Sequence, residues 1–300
     1  MKILSLSSSV AHGHVGNSAL TLPLQRLGFQ LTAVNTVQFS NHPGHGVFGG
    51  DVFAPDHVAR VVDGLERAGF LAGHDGVLSG YLGDAGNGPT LLRLLAANPG
   101  AVYLCDPVMG DAVLGGAGRS YVRPGVAAFL AGPALAAARL VTPNPFELGV
   151  LAGAAVNDAE QCLRAARALL RRGPETVVVT SLEMDGGIGC AAVTAGGDWL
   201  VRTPRLPFPH PVNGAGDLLA GLLLAETLSG AGPAEMLGRA VSRLFAVLEA
   251  TLASGGRELA LVAAQDSVVA PARMFAAHQG CSGAGFLLSC RREGKSGLLT

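Results

Sequence analysis

The 300-residue chain is 49% hydrophobic and 14% charged with a formal net charge of -1, enough to bury one large α/β core or two smaller ones. Near-zero charge and a pI of 6.7 exclude the broad electrostatic footprint of a nucleic-acid or anionic-membrane binder, and no basic run supplies a local one. A mean hydropathy of +0.40 reflects Ala, Leu, Val and 43 Gly, since no stretch reaches the roughly 18 consecutive apolar residues of a membrane span.

Five cysteines, odd in number and without a CxxC pair, argue against a disulfide framework or zinc site and point to the cytoplasm. Lys2 and Lys295 are the only lysines, which leaves almost no place for a Schiff base or a P-loop lysine.

In chain order, Lys2 to Leu6 is an apolar run cut short by Ser7-Ser8-Ser9, a buried strand rather than a secretion signal. The segment Ser8 to Ser18 carries hydroxyls and imidazoles into a helix expected near Val15 to Leu27, and a strand is expected at Leu31 to Val37. Asn41 to Gly46 forms a second candidate ligand loop. Its Gly44-x-Gly46-x-x-Gly49 spacing matches a dinucleotide fingerprint, but the chain runs to Pro55 before any helix begins, which discounts the match. His42 and His45 lack a third ligand at useful spacing, so a substrate-touching or solvent-facing role is favoured over metal binding.

A helix at Pro55 to Ala68 precedes a strand at Gly76 to Ser79, after which Tyr81 either meets an aromatic ligand or sits at the core edge. A helix at Gly88 to Ala97 leads to a strand at Ala101 to Leu104 and to Cys105-Asp106-Pro107-Val108-Met109-Gly110-Asp111. There Asp106 and Asp111 can reach a metal or phosphate through water, or Asp106 opens an Asp-Pro turn. The Gly-rich run 115–118 with Arg119 is flexible enough to cover a nucleotide.

Past a strand at Leu140 to Thr142, Asn144 and Glu147 stand one helical turn apart, as a hydrated Mg²⁺ site or as a capping box. A helix at Asp158 to Arg172 leads to a strand at Thr176 to Thr180, where Thr180 and Ser181 offer hydroxyls. Ile188 to Val193 and Trp199 to Thr203 read as an antiparallel edge hairpin joined by Gly196-Gly197-Asp198. Gly214-Ala215-Gly216-Asp217 then opens a helix apolar on all sides through Ala225, with another helix at Pro233 to Thr251. Converging N–H groups, a helix dipole and a carboxylate outline a phosphoryl-transfer site, or a Gly turn with a helix-capping Asp217. From Gly280 to Thr300 no periodicity remains and a poorly ordered tail is expected. The βα alternation predicts an α/β fold with a mostly parallel sheet flanked by helices and a single domain over residues 1–279.

Six segments in succession carry a resemblance: Gly13-His14-Val15-Gly16-Asn17-Ser18, Asn35 to His42, Ser79-Gly80-Tyr81-Leu82-Gly83, Cys105 to Asp111, Thr142-Pro143-Asn144-Pro145-Phe146-Glu147 and Gly214 to Asp217. The chain resembles the pyridoxal kinases of the ribokinase-like superfamily from about Lys2 to His278. The resemblance implies transfer of the γ-phosphate of ATP to the 5'-hydroxyl of pyridoxal, and often of pyridoxine and pyridoxamine, in vitamin B6 salvage. It implies Asp217 as general base and Gly214, Ala215 and Gly216 as the anion hole. Ser8, Tyr81 and Asp217 fall at vitamin-binding positions, and Pro43, Gly44 and His45 at a segment that closes over substrate. Asp106, Asp111, Tyr121, Thr142, Asn144, Glu147, Thr180 and Ser181 fall at ATP-side positions, with Asp106, Asn144 and Glu147 matching the Mg²⁺ site. A homodimer is also implied.

Two departures stand out. Pro43-Gly44-His45 replaces the Thr followed by a Tyr-containing stretch that the family often has, and Thr180 stands where some bacterial relatives carry lysine. A hydroxymethylpyrimidine kinase of thiamin synthesis shares the Cys-Asp-Pro-Val-Met block, but the Asn35 to His42 block favours pyridoxal. A non-catalytic B6-binding protein is the reading from another class, and intact Asp217, Asn144 and Glu147 argue against it.

Overall fold

The computed structural model describes residues 1–111, 119–156, 158–184 and 186–280, with Arg119 by its backbone alone. The chain opens with β1 (Lys2–Val10), α1 (Asn17–Arg26), β2 (Gln30–Phe39), β3 (Gly50–Val52), α2 (Pro55–Arg67), β4 (Gly76–Ser79), α3 (Gly88–Ala97) and β5 (Val102–Cys105). A ribbon of β6 (Gly110–Asp111) and β7 (Arg119–Ser120) follows; α4 (Val126–Phe129) then passes through a π-type turn at Leu130–Ala134 into α5 (Leu135–Ala137). Next come β8 (Leu140–Val141), α6 (Pro145–Ala152), α7 (Ala159–Leu170), β9 (Thr176–Met184), β10 (Gly187–Thr194) and β11 (Gly197–Pro204). The described chain ends through α8 (Ala215–Leu228), α9 (Pro233–Ser254), α10 (Gln265–Val269) and β12 (His278–Gln279).

Ten strands form one sheet in the order β12-β11-β10-β9-β8-β5-β4-β1-β2-β3. Strands β9, β8, β5, β4, β1 and β2 are mutually parallel, while β10, β11 and β12 fold back as an antiparallel meander and β3 runs antiparallel to β2. Strand periodicity divides the core between two faces. Leu4, Leu6, Val77, Tyr103, Val141, Val177 and Val179 pack with α2, α3, α6 and α7. Ile3, Leu78, Leu104, Leu140 and Val178 point the other way, onto α1, α8, α9 and α10.

Helix α8 is buried from Leu218 through Glu226 because it lies between the sheet, α1 and α9, which explains an apolar sequence with no polar face. Each Leu so buried contributes about 1.5–3 kcal/mol. Glu226 is tolerated there because Arg243 Nε donates to it at 2.9 Å and Arg239 stands at 3.5 Å, so the buried charge is paired.

The expected α/β architecture holds, with β4 and α3 at their predicted bounds. Strands β1, β2 and β9 overrun the predicted ends. The hairpin turn is Ala195-Gly196 between Thr194 and Gly197 rather than Gly196-Gly197-Asp198, since Gly197 and Asp198 already pair with β10. Short elements β3, β6, β7, α4, α5, α10 and β12 were not foreseen, their lengths being below what periodicity resolves, whereas α6 begins where the Asn144–Glu147 capping box implied a helix. Among the described residues no helix is long and apolar enough to cross a membrane. The expected Gly-rich cover at 115–118 and the expected poorly ordered tail, Gly280 apart, lie outside the described residues.

Candidate active site

The carboxyl ends of the parallel strands open onto one edge, the usual ligand edge of such a sheet, and the N-terminus of α8 faces it. Gly214, the N-cap, sits at φ +84°, and a Cβ there would overlap the His14 carbonyl oxygen. Only glycine meets both demands. With no side-chain cap on α8, the first-turn N–H groups of Ala215 and Gly216 remain available to an anion.

Asp217 lies in that first turn and is half-buried. Its carboxylate accepts from the backbone N–H of Gly16 and from its own, yet burial pushes its pKa up to about 6. Asp106, buried past the end of β5, is pushed up to about 7 by burial and by the neighbouring Asp217 charge, against a bond from Thr142. The Thr142 hydroxyl donates to Asp106 Oδ1 at 2.8 Å. Two buried carboxylates of raised proton affinity, one of them pushed further by the charge of the other, mark a cleft short of positive charge.

Asn144 caps α6, its Oδ1 accepting from Glu147 N–H at 2.9 Å while Glu147 Oε2 accepts from Asn144 N–H at 3.0 Å. The two polar residues therefore do form the capping box. Glu147 Oε1 also takes the Met109 N–H at 3.0 Å, and Asn144 Nδ2 donates to Gly110 O at 2.9 Å, which locks the Asp106–Asp111 turn onto α6. Burial and then Asp106 raise the Glu147 pKa well above the usual range. Asp111 Oδ1 stands 3.5 Å from Asn144 Nδ2.

Among the described residues no cluster of three or more His, Cys, Asp or Glu forms a metal cage. Asp106 and Glu147 nevertheless hold like charges together at low polarity, an arrangement that suits a divalent cation kept largely in its water shell. Asn144 spends its oxygen on the cap.

Tyr121 is 55% exposed, and partial desolvation of its phenol, with the charges of Glu147, Asp111, Asp106 and Asp217, raises its pKa. Its ring centroid lies 6.4 Å from that of half-buried Tyr81, so both aromatic candidates share one wall. Thr180 meets the strand end next door, its N–H donating to Pro143 O at 3.0 Å. Ser181 has φ +55°, unique among the described non-glycine residues, in the bulge where β9 and β10 shift register opposite Cys190. Such strain concentrates at functional edges. Pro43 to His45 form a short 3₁₀ turn capped by His42, and Ser8 lies against Gly16, where a Cβ would crowd the Ser8 carbonyl and hydroxyl.

Several participants escaped sequence reasoning. Gly16 supplies the N–H that holds Asp217; its place in Gly13-His14-Val15-Gly16 was the available signal. Gly80 leaves room beside Asp217 Oδ1 and the Ser7 hydroxyl, which is buried and has no hydrogen-bond partner among the described residues. Glu258 bonds the His45 ring at 2.6 Å and the His14 N–H at 3.1 Å, a link across more than two hundred residues that no local pattern announces.

The phosphomethylpyrimidine kinase family matches residues 72–259. Pyridoxal kinases of Rubrobacter xylanophilus and Deinococcus radiodurans are 49% and 44% identical, over 92% of this chain and 96% of each relative. The structure of the Leishmania donovani pyridoxal kinase in complex with ADP and pyridoxamine superposes with a TM-score of 0.84 at 28% identity, covering 93% of this chain and 99% of that one.

Proposed function

The chain belongs to the phosphomethylpyrimidine kinase family and within it to the pyridoxal kinases, and from that premise we propose that Asp217 is the base in phosphoryl transfer from ATP to the 5'-hydroxyl of pyridoxal. The single observation that carries the assignment is its position: a half-buried carboxylate of raised pKa in the first turn of α8, beside unsatisfied N–H groups. An ordinary surface aspartate would be ionised but too weak a base at neutral pH; one near 6 is better matched to proton abstraction.

In this reading Asp217 accepts the hydroxyl proton as the oxygen bonds to the γ-phosphorus and the bond to ADP breaks. The N–H groups of Ala215 and Gly216 face the charge on the moving phosphoryl group, and Gly16 N–H keeps the carboxylate aimed. Mg²⁺, when bound near Asp106 and Glu147, would supply the charge neutralisation that Lys2, at the opposite end of β1 from Ser8, does not. Asn144 positions Glu147 through the capping box. Thr142, Thr180, Ser181, Asp111 and Tyr121 line the nucleotide side; Ser8, Tyr81 and the Pro43-Gly44-His45 turn line the vitamin side.

A single kinase domain over 1–279 and a homodimer are proposed from the sequence resemblance, and a cytoplasmic site of action from the unpaired cysteine pattern; size-exclusion with light scattering and cell fractionation test them. Phosphorylation of hydroxymethylpyrimidine is the second reading, favoured by the family match at 72–259. Product masses with Mg²⁺-ATP and pyridoxal, pyridoxine, pyridoxamine or hydroxymethylpyrimidine decide between them. Pyridoxal phosphate that disappears in Asp217→Asn supports the proposal, whereas phosphate on the pyrimidine alone overturns it.

A further inference from the structure

We propose that Glu258, between α9 and α10, is a positioning residue that holds the His42–His45 turn over the cleft and couples it to the start of α8. The inference rests on the reading of this cleft as the vitamin-phosphorylating site. Glu258 has only acceptor oxygens when ionised, so at 2.6 Å the His45 Nε2 must be the donor to Oε1. The second oxygen accepts from His14 N–H at 3.1 Å. One carboxylate thus ties the 41–48 loop to the 11–16 loop.

The approach is built into the backbone on both sides. Gly13 is at φ +94°, and a Cβ there would overlap the Glu258 carboxylate; Gly214 is at φ +84°, and a Cβ there would overlap the His14 carbonyl. The His14 peptide is therefore gripped through its N–H by Glu258 and packed through its carbonyl on the N-cap of α8, three residues before Asp217. Inside the loop, His42 Nδ1 accepts from Gly44 N–H at 3.1 Å, which shapes the turn that carries His45. With the His45 and Glu258 side chains 25% and 18% exposed, water competes less for this bond than for a surface ion pair.

Glu258 reaches the reaction only through His45 and His14, so its loss should fall on the vitamin and spare the nucleotide. The experiment uses the full chain with Glu258→Ala, Glu258→Gln, His45→Asn and the His45→Asn/Glu258→Ala pair. It measures KM for pyridoxal and for ATP, kcat, and pyridoxal Kd by titration without ATP. Glu258→Ala is expected to raise pyridoxal KM and Kd about tenfold with ATP KM within about twofold, and the pair to be little worse than either single change, as for residues acting through one another. Glu258→Gln keeps one acceptor oxygen and should fall between wild type and Ala; it also keeps the test open if the Ala variant fails to fold. Equal losses on both substrates, additive effects in the pair, or variants matching the wild type would overturn the proposal. A wild-type protein that transfers no phosphate to pyridoxal is a separate result, against the kinase reading itself.

Discussion

At the scale of single residues, the cleft is governed by carboxylates whose proton affinities are raised by burial and by each other. If Asp217 is the base, Asp217→Asn should lower kcat by about 10²–10⁴ while leaving ATP affinity nearly intact; near-normal turnover would reject the role. Its pKa near 6 means the reactive ionised form accumulates as pH rises, so kcat/KM for pyridoxal should climb through about pH 6 and level off above it. The same shifts set a stability trend of opposite sense. A carboxyl raised in the fold contributes stability that is fully present below its unfolded value near 4 and is lost as pH rises through the folded value, here about 6 for Asp217 and 7 for Asp106. Asp106→Asn should accordingly stabilise the nucleotide-free protein at pH 8 by about 1–2 kcal/mol and do little at pH 4. Thermal melts of both proteins at the two pH values check this, and a variant destabilised at pH 8 would contradict it.

At the scale of elements, the proposed chemistry rests on two helix starts, and each is made by a few residues of special geometry. The start of α8 needs Gly214 at positive φ against the His14 carbonyl. Gly214→Ala should cost about 2 kcal/mol or more and displace the first turn that bears Asp217, a loss that denaturant unfolding and turnover measure together. The start of α6 needs Asn144. Asn144→Ala removes the cap and loosens Glu147, for an expected cost of about 1–2 kcal/mol, whereas Asn144→Asp keeps the capping acceptor but loses the donor to Gly110 O and faces Asp111, so it should recover only part of that stability. The Asn144-x-x-Glu147 spacing was legible in the sequence as a ligand pair or as the cap of a helix, and the extent of that helix was not, because eight residues with a proline at the first position give little periodicity.

For the whole molecule, the cleft is assembled where parallel strands end and α8 begins, so ligand binding and folding are coupled. Mg²⁺-ATP at about 100 times its Kd should add about 2.7 kcal/mol, and chelating the metal should remove most of that gain at pH 8, where the facing carboxylates are ionised; an equal shift with and without metal would argue against the Asp106–Glu147 side as its site. The sequence by itself determined the parallel α/β order, the buried character of α8 and the succession of segments bearing Asp106, Asn144, Glu147 and Asp217, because strand and helix periods and turn chemistry are written in neighbouring residues. Only the tertiary structure decided that Gly16 holds Asp217, that Ser181 is strained opposite Cys190, that the Ser7 hydroxyl lies buried beside Gly80, and that Glu258 reaches back to His14 and His45. Those relations depend on strand order and on distances between segments far apart in the chain, and no local pattern of side chains encodes them.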